Sequence, residues 1–173
     1  YYHYKEDLTK LKIHIDDTPS ISIQDLKVKA KMMKLKYNIK ALFVDYLQLA
    51  TYEKSQNREQ EIAKISSGLK AIAKELDIPV IALSQLSRAV ESRPNKRPQL
   101  SDLRESGSIE QDADEVIFLY RPEYYNIDEW DDYNNAPTKN EVEIMIAKNR
   151  NGGLLDERYK VNMAISEFRN MEY

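Results

Sequence analysis

Two stretches decide the fold: Ala41-Leu42-Phe43-Val44-Asp45 and Pro79-Val80-Ile81-Ala82-Leu83-Ser84-Gln85. Each is a short, continuous apolar run that ends on a polar residue, the pattern of a strand buried on both faces. Between them, Ile62, Ile65, Leu69, Ile72 and Leu76 are spaced 3, 4, 3, 4, which predicts an amphipathic helix. Strand, helix, strand with apolar strands implies a parallel sheet covered by helices. Val116-Ile117-Phe118-Leu119 is a third such run. The strands ending at Asp45, Leu83 and Tyr120 are therefore expected to be parallel neighbours in one sheet.

Working outward, Lys12-Ile13-His14-Ile15 is expected to be a short strand, stopped by Asp16-Asp17-Thr18-Pro19. Ser22, with Asp25 three residues on, predicts a helix start. That helix should run to about Tyr37 with Ile23, Leu26, Ala30 and Met33 inside. Its lysines (Lys27, Lys29, Lys31, Lys34, Lys36) then form a solvated face rather than a nucleic-acid patch. Thr51 to Gln60 and Ser84 to Asp102 are polar and read as loops. Residues 121–140 are rich in Asp, Asn and Tyr and are expected to be a surface insertion. Val142 to Ile146 should be a strand, and Tyr159 to Ile165 alternates as an edge strand. No internal repeat and no second domain is visible.

The chain has 173 residues, a length for one domain. Charged residues at 32% and hydrophobic residues at 42% give the balance of a soluble globular protein and exclude wholesale disorder. No apolar run approaches the ~18 residues a membrane span needs. Tyr1-Tyr2-His3-Tyr4-Lys5 lacks the apolar core of a signal peptide. With no cysteine, disulfides and Cys-based zinc sites are excluded, and a reducing compartment is permitted. A net charge of −3 means that a nucleic-acid partner would need a local surface, not the chain's overall charge.

In a parallel sheet, ligands sit beyond the carboxyl ends of the strands. Asp45, Ser84-Gln85, Arg121 and Lys148-Asn149-Arg150 are the residues expected at such ends. Asp45 suits a carboxylate that holds magnesium beside a nucleotide's phosphates; the plainer reading is a strand-exit Asp. Gln85 could hydrogen-bond a γ-phosphate or an attacking water, or simply cap its strand. Lys148 and Arg150, two apart in an extended segment, point the same way and would suit an arginine finger; a basic turn before Gly152-Gly153 is the alternative. In Asp102-Leu103-Arg104-Glu105-Ser106-Gly107-Ser108, small residues after Arg104 leave backbone amides open, with Ser108 able to cap a short helix. Exposed amides plus one Arg form a plausible phosphate-binding surface. Trp130 with Tyr124, Tyr125 and Tyr133 could stack bases, though surface packing is the simpler reading. His3 and His14 receive no function. A Gly-x4-Gly-Lys-Ser/Thr loop is absent, as are a Ser-His-Asp order and a His-Glu-x2-His.

Taken in order, the motifs resemble the C-terminal motor domain of bacterial replicative DNA helicases, the DnaB family. The matching strings are Ile15-Asp16-Asp17-Thr18-Pro19, Leu42 to Leu49, Pro79 to Arg88, Lys96-Arg97-Pro98, Ser101 to Asp114, and Ile146 to Gly152. The resemblance implies an α/β, RecA-like P-loop NTPase core: a mostly parallel twisted sheet flanked by helices. It also implies a cytoplasmic homohexamer that hydrolyses ATP with Mg2+ between subunits and carries single-stranded DNA in its channel, with primase and a helicase loader as further partners. By motif, Asp45 becomes the magnesium residue and Gln85 the sensor. Arg150 becomes the arginine finger with Lys148 beside it, all four counting as catalytic. Arg104, Glu105, Ser106 and Gly107 fall on the DNA loop, and Arg58 ends a second, mobile DNA loop running from Thr51. The family's phosphate loop would lie upstream of residue 1, so residues 1–173 are expected to be a partial motor domain that is inactive alone. The rival reading is a non-catalytic RecA-like scaffold or loader-interaction module.

Overall fold

The computed structural model describes residues 10–51, 58–131 and 135–171, with the side chains of 104–106 outside the description. The first helix, α1 (Ile23–Tyr37), starts where its cap dictates. Ser22 Oγ accepts from the Asp25 N–H at 3.0 Å and donates to Asp25 Oδ2 at 2.7 Å. The helix stops at Asn38, which turns left-handed at φ 53° and sends its N–H to the Lys34 carbonyl. Ile23 and Ala30 are buried, whereas Lys27 and Lys31 pair with Glu75 at the surface. The lysine-rich face is thus solvated and ion-paired, as the spacing predicts.

The second helix, α2 (Arg58–Leu76), buries Ile62, Ile65, Leu69 and Ile72, the predicted stripe. It crosses α1 closely at Gly68, where a Cβ would lie 2.4 Å from Ile23 Cγ1. Both helices pack on a two-stranded parallel sheet of β1 (Leu42–Val44) and β2 (Val80–Ala82). The register is Leu42 opposite Val80, Phe43 opposite Ile81 and Val44 opposite Ala82.

The expectation of one parallel sheet fails beyond this pair. The strand ending at Tyr120, β3 (Glu115–Tyr120), heads a second sheet of four antiparallel strands. Its partners are β4 (Glu141–Asn149), β5 (Leu155–Asn162) and β6 (Glu167–Asn170), in the order β3-β4-β5-β6. The difference has a physical source. Along β3, Val116, Phe118 and Tyr120 are buried while Ile117 is 52% and Leu119 63% exposed. Apolar residues on both faces do not reveal whether the second face is covered. Phe43, at 74% exposure, and Ile81 show the same uncovered face on the parallel pair.

Three smaller expectations also change. Lys12 to Ile15 forms no ladder among the described residues, and Ile13 and Ile15 are exposed. Tyr159 to Ile165 is not an edge strand: β5 ends at Asn162, and β6 holds the edge. Within 121–140, Trp130 is no surface stacking group. It is 2% exposed, donates Nε1–H to Glu141 Oε2 at 2.8 Å, meets Tyr120 edge-on and lies under the Arg158 guanidinium at 4.0 Å. Lys160 Nζ balances the buried Glu141 at 2.5 Å. Tyr133, the other end of that expected platform, lies outside the described residues, as does His3.

A short third helix, α3 (Gly107–Asp112), joins the two halves. Its Ile109 packs against both hydrophobic clusters, the one around Ile65 and the one around Phe118. No helix among the described residues is long and apolar enough to cross a membrane.

Trp130 gives a direct test of the second core. Trp130→Ala should lose about 3–5 kcal/mol of unfolding free energy, because it removes a fully buried aromatic and takes the hydrogen bond from one oxygen of the buried Glu141. Tyr124→Ala, at a 71% exposed position, should stay within about 0.5 kcal/mol. Denaturant unfolding measures both, and equal effects would refute the burial of Trp130.

Candidate functional site

Parallel pairing brings the ends of β1 and β2 to one edge. The Leu83 N–H donates to the Val44 carbonyl at 2.9 Å, and the Leu47 N–H donates to the Leu83 carbonyl at 2.8 Å. Asp45 and Gln85 leave this edge side by side in chain direction, and both are exposed. The Asp45–Tyr46 peptide is cis. Between the two exits lies a residue to which sequence reasoning gave no role. Gln48 Nε2 donates to Ser84 Oγ at 3.0 Å and to the Gln85 carbonyl at 3.1 Å, and its Oε1 accepts from the Gln85 N–H at 3.2 Å. This amide clamps the backbone of Gln85 and leaves the Gln85 side chain to other partners. The available signal was its place three residues after Asp45 in the same motif string.

Among the described residues, no group of three or more His, Cys, Asp or Glu could hold a metal by itself. A single exposed carboxylate such as Asp45 would suit a divalent cation whose remaining shell comes from water and a substrate. Magnesium is commonly held by one or two carboxylates, with water and substrate phosphates completing its shell.

Asp45 also lines a cavity of about 190 Å³ with His14, Asp16, Thr18 and Lys29. There, Asp16 accepts from the Thr18 N–H at 3.0 Å and from Lys29 Nζ at 2.6 Å. The Lys29 ammonium, with help from Thr18, lowers the Asp16 carboxyl to about 2.

Lys148 and Arg150 do not sit against Asp45 or Gln85. They converge on the C-terminal end of α3. Lys148 Nζ donates to the Glu110 carbonyl. Arg150 donates Nη1 to Asp114 Oδ1 at 3.0 Å and Nη2 to the Gln111 carbonyl at 3.3 Å. Its backbone N–H reaches the Asp114 carbonyl at 2.8 Å. Lys70 of α2 pairs with the other oxygen of Asp114. Cations at helix-terminal carbonyls meet the negative end of the helix dipole. An extra residue in β4, at Ala147 between the pairs Val116–Lys148 and Ile117–Ile146, sets the aim of the two side chains. They point to one place, as their spacing predicts.

The stretch Leu100–Ser106 is a tight helical turn that runs directly into α3. Its start is capped: the Gln99 N–H donates to Asp102 Oδ2 at 2.8 Å, the Asp102 N–H donates to the Gln99 carbonyl at 2.8 Å, and Arg93 pairs with Asp102. The side chains of Arg104, Glu105 and Ser106 lie outside the described residues. Gly107 is exposed with ordinary right-handed geometry, and a Cβ there would meet nothing within 4 Å. Ser108 does not cap the helix; its buried Oγ makes no hydrogen bond. Arg58 pairs with Glu61 at 2.6 Å and donates to the Gln48 carbonyl, so it braces the Gln85 edge. Residues 52–57 of the second expected DNA loop lie outside the described residues.

Comparison with known proteins agrees with the motif reading. The family described as DnaB-like helicase C terminal domain matches residues 2–170. The chain is 50% identical over 181 residues to "Replicative DNA helicase DnaB" of Rickettsia bellii, covering 95% of this chain and 36% of that protein. It is 48% identical over 167 residues to the same-named protein of Geobacillus stearothermophilus, covering 95% and 35%. A solved structure titled "The Structure Of A DnaB-Like Replicative Helicase And Its Interactions With Primase" superposes with a TM-score of 0.86 at 39% identity, covering 99% of this chain and 40% of that one. A second solved structure, of an ATPase domain, superposes with the same TM-score of 0.86 at 39% identity, covering 99% of this chain and 59% of that one. The chain thus spans about a third of the length of the curated relatives it matches. With the Asp45–Gln85 edge, the Lys148–Arg150 pair and the collinear motifs all in place, the chain belongs to the DnaB-like helicase C-terminal domain family.

Proposed function

We propose that this chain is part of the ATP-driven motor of a hexameric replicative helicase that moves along single-stranded DNA and unwinds duplex at the fork. The observation that carries the proposal is the separation of Arg150 from Asp45 and Gln85. A cation held on α3, with three of its five N–H groups unengaged by the described residues and its side chain half-exposed, suits a phosphate bound to a neighbouring subunit. Asp45 would hold Mg2+, which neutralises charge on the β- and γ-phosphates of ATP. Gln85, its backbone fixed by Gln48, would orient water or sense the γ-phosphate. Arg150 would stabilise charge that develops in the transition state, and Lys148 would keep the strand end aligned.

The exposed apolar side chains of Phe43 and Ile81 on one sheet and of Ile117 and Leu119 on the other suit further packing in a larger, RecA-like core. A primase partner accords with the name of one solved relative; a cytoplasmic setting and a loader enter through the family resemblance alone.

Gly107 supports the DNA-facing role of its loop. Among the described residues, neither backbone geometry nor packing demands a glycine there, which suits the close approach of an outside group. Contacts of that kind go to phosphates and carry no base information.

Two outcomes follow in the full-length hexamer. Arg150→Ala should lower kcat for ATP by about 10³–10⁵, with nucleotide affinity nearly unchanged. Normal turnover would remove the finger role. Gly107→Ala should keep or raise thermal stability, by up to about 1 kcal/mol, because alanine suits a helix better. It should nevertheless weaken single-stranded DNA binding equally for all sequences. Unchanged DNA affinity in a salt titration would take the loop off the DNA surface.

A further inference from the structure

The cluster at the end of α3 has a member that neither the motif reading nor the proposed mechanism uses. Asp114 is where three elements meet. Its carboxylate takes Lys70 from α2 on one oxygen and Arg150 on the other, and its carbonyl takes the Arg150 backbone N–H. Next to it, the carbonyls of Glu110 and Gln111 take Lys148 and the second Arg150 nitrogen. Among the described residues, the Arg150 hydrogen bonds therefore all end on α3 or on the two residues that follow it. The turn Leu100–Ser106 enters the same helix at Gly107 with no intervening linker. A six-residue helix moves as a unit, so the loop at one end and the guanidinium at the other are joined by little more than one and a half turns.

Stability does not explain this arrangement. Asp114 is 56% and Arg150 50% exposed, and ion pairs so exposed contribute little. What the contacts do is fix direction. Two guanidinium donors, on different nitrogens, are used by partners about one helical turn apart, which leaves the side chain little rotational freedom. Lys70 anchors Asp114 in turn, and α2 is the helix that packs under β1 and β2. The Lys70 ammonium, followed by Arg150 and Lys148, also lowers the Asp114 carboxyl, so it remains ionised at neutral pH.

We propose that Asp114 is a positioning residue for Arg150: it ties the finger to the end of α3, so that displacement of the DNA loop at the start of α3 reaches the finger of the same subunit. This rests on the finger and DNA-loop roles given under the proposed function. DNA contact at residues 104–107 would then adjust the aim of Arg150 toward the neighbouring nucleotide without a separate relay.

The test uses the full-length hexamer and Asp114→Ala, Asp114→Glu and Arg150→Ala variants. ATP turnover with and without a single-stranded oligonucleotide, KM for ATP, DNA affinity by fluorescence anisotropy and ring content by sedimentation are compared. Asp114→Ala should lower kcat on the order of 10–100-fold, the scale of a misplaced catalytic group, with KM, DNA affinity and ring content close to wild type. Its DNA stimulation should fall toward one, and Asp114→Glu should recover part of both. Adding Asp114→Ala to Arg150→Ala should lower turnover no further. Wild-type stimulation in Asp114→Ala, beside an inactive Arg150→Ala, would overturn this inference while leaving the finger intact. Loss of ring content or DNA affinity in step with turnover would overturn it in favour of a structural role. Normal turnover by Arg150→Ala would instead overturn the finger reading itself.

Discussion

The parallel register of Leu42–Val44 with Val80–Ala82 is the constraint on which the candidate site depends. It is short, only three rows, and α1 and α2 hold it from one side. Parallel strands exit at the same edge, so the register by itself delivers Asp45 and Gln85 together. The Gln48 amide then sets the distance between the two exits by bonding both ways to Gln85. A slip of one residue would turn Val44 and Ala82 away from the helices and separate the two polar ends.

The second sheet does a different job. Its order β3-β4-β5-β6 carries β4 to Lys148 and Arg150, and its core of Tyr120, Trp130 and Met145 makes that strand rigid. Between the sheets sits α3, which touches both cores through Ile109 and both functional ends through its termini. A split of this kind, with the proposed metal and sensor residues on one sheet and the proposed finger at the end of another, would suit an enzyme whose reaction happens between copies of itself. The net charge of −3 is compatible with DNA binding on the same grounds: a narrow loop surface repeated around a ring can hold phosphates without a basic molecule.

Much of this was legible in the sequence, and the failures have physical causes. The caps and stripes of α1 and α2 follow from side chains bonding or packing within a turn or two, so Ser22, Ile62 and Ile72 announced themselves. Asp45, Gln85 and Arg150 were read as polar endings of apolar runs, and the roles proposed for them come from the collinear motifs. Sheet membership was not legible. Val116 to Leu119 has the composition of a doubly buried strand, yet its partners are antiparallel and one face is open. Trp130 was misplaced because its neighbours in sequence are acidic, whereas its neighbours in space are Tyr120, Glu141 and Arg158. The roles of Gln48 and Asp114 depend on partners 37 and 36 residues away, contacts no local pattern encodes.

The central claim is that one subunit's Arg150 completes the site that holds another subunit's Asp45. Mixing full-length Asp45→Ala and Arg150→Ala subunits, each inactive as a uniform ring, tests it most directly. In a mixed ring, an Arg150→Ala subunit keeps a complete metal site, and its Asp45→Ala neighbour supplies the finger. The account predicts that ATP hydrolysis reappears and peaks at intermediate mixing ratios. Turnover at background across every ratio, in rings shown to contain both subunits, would contradict it.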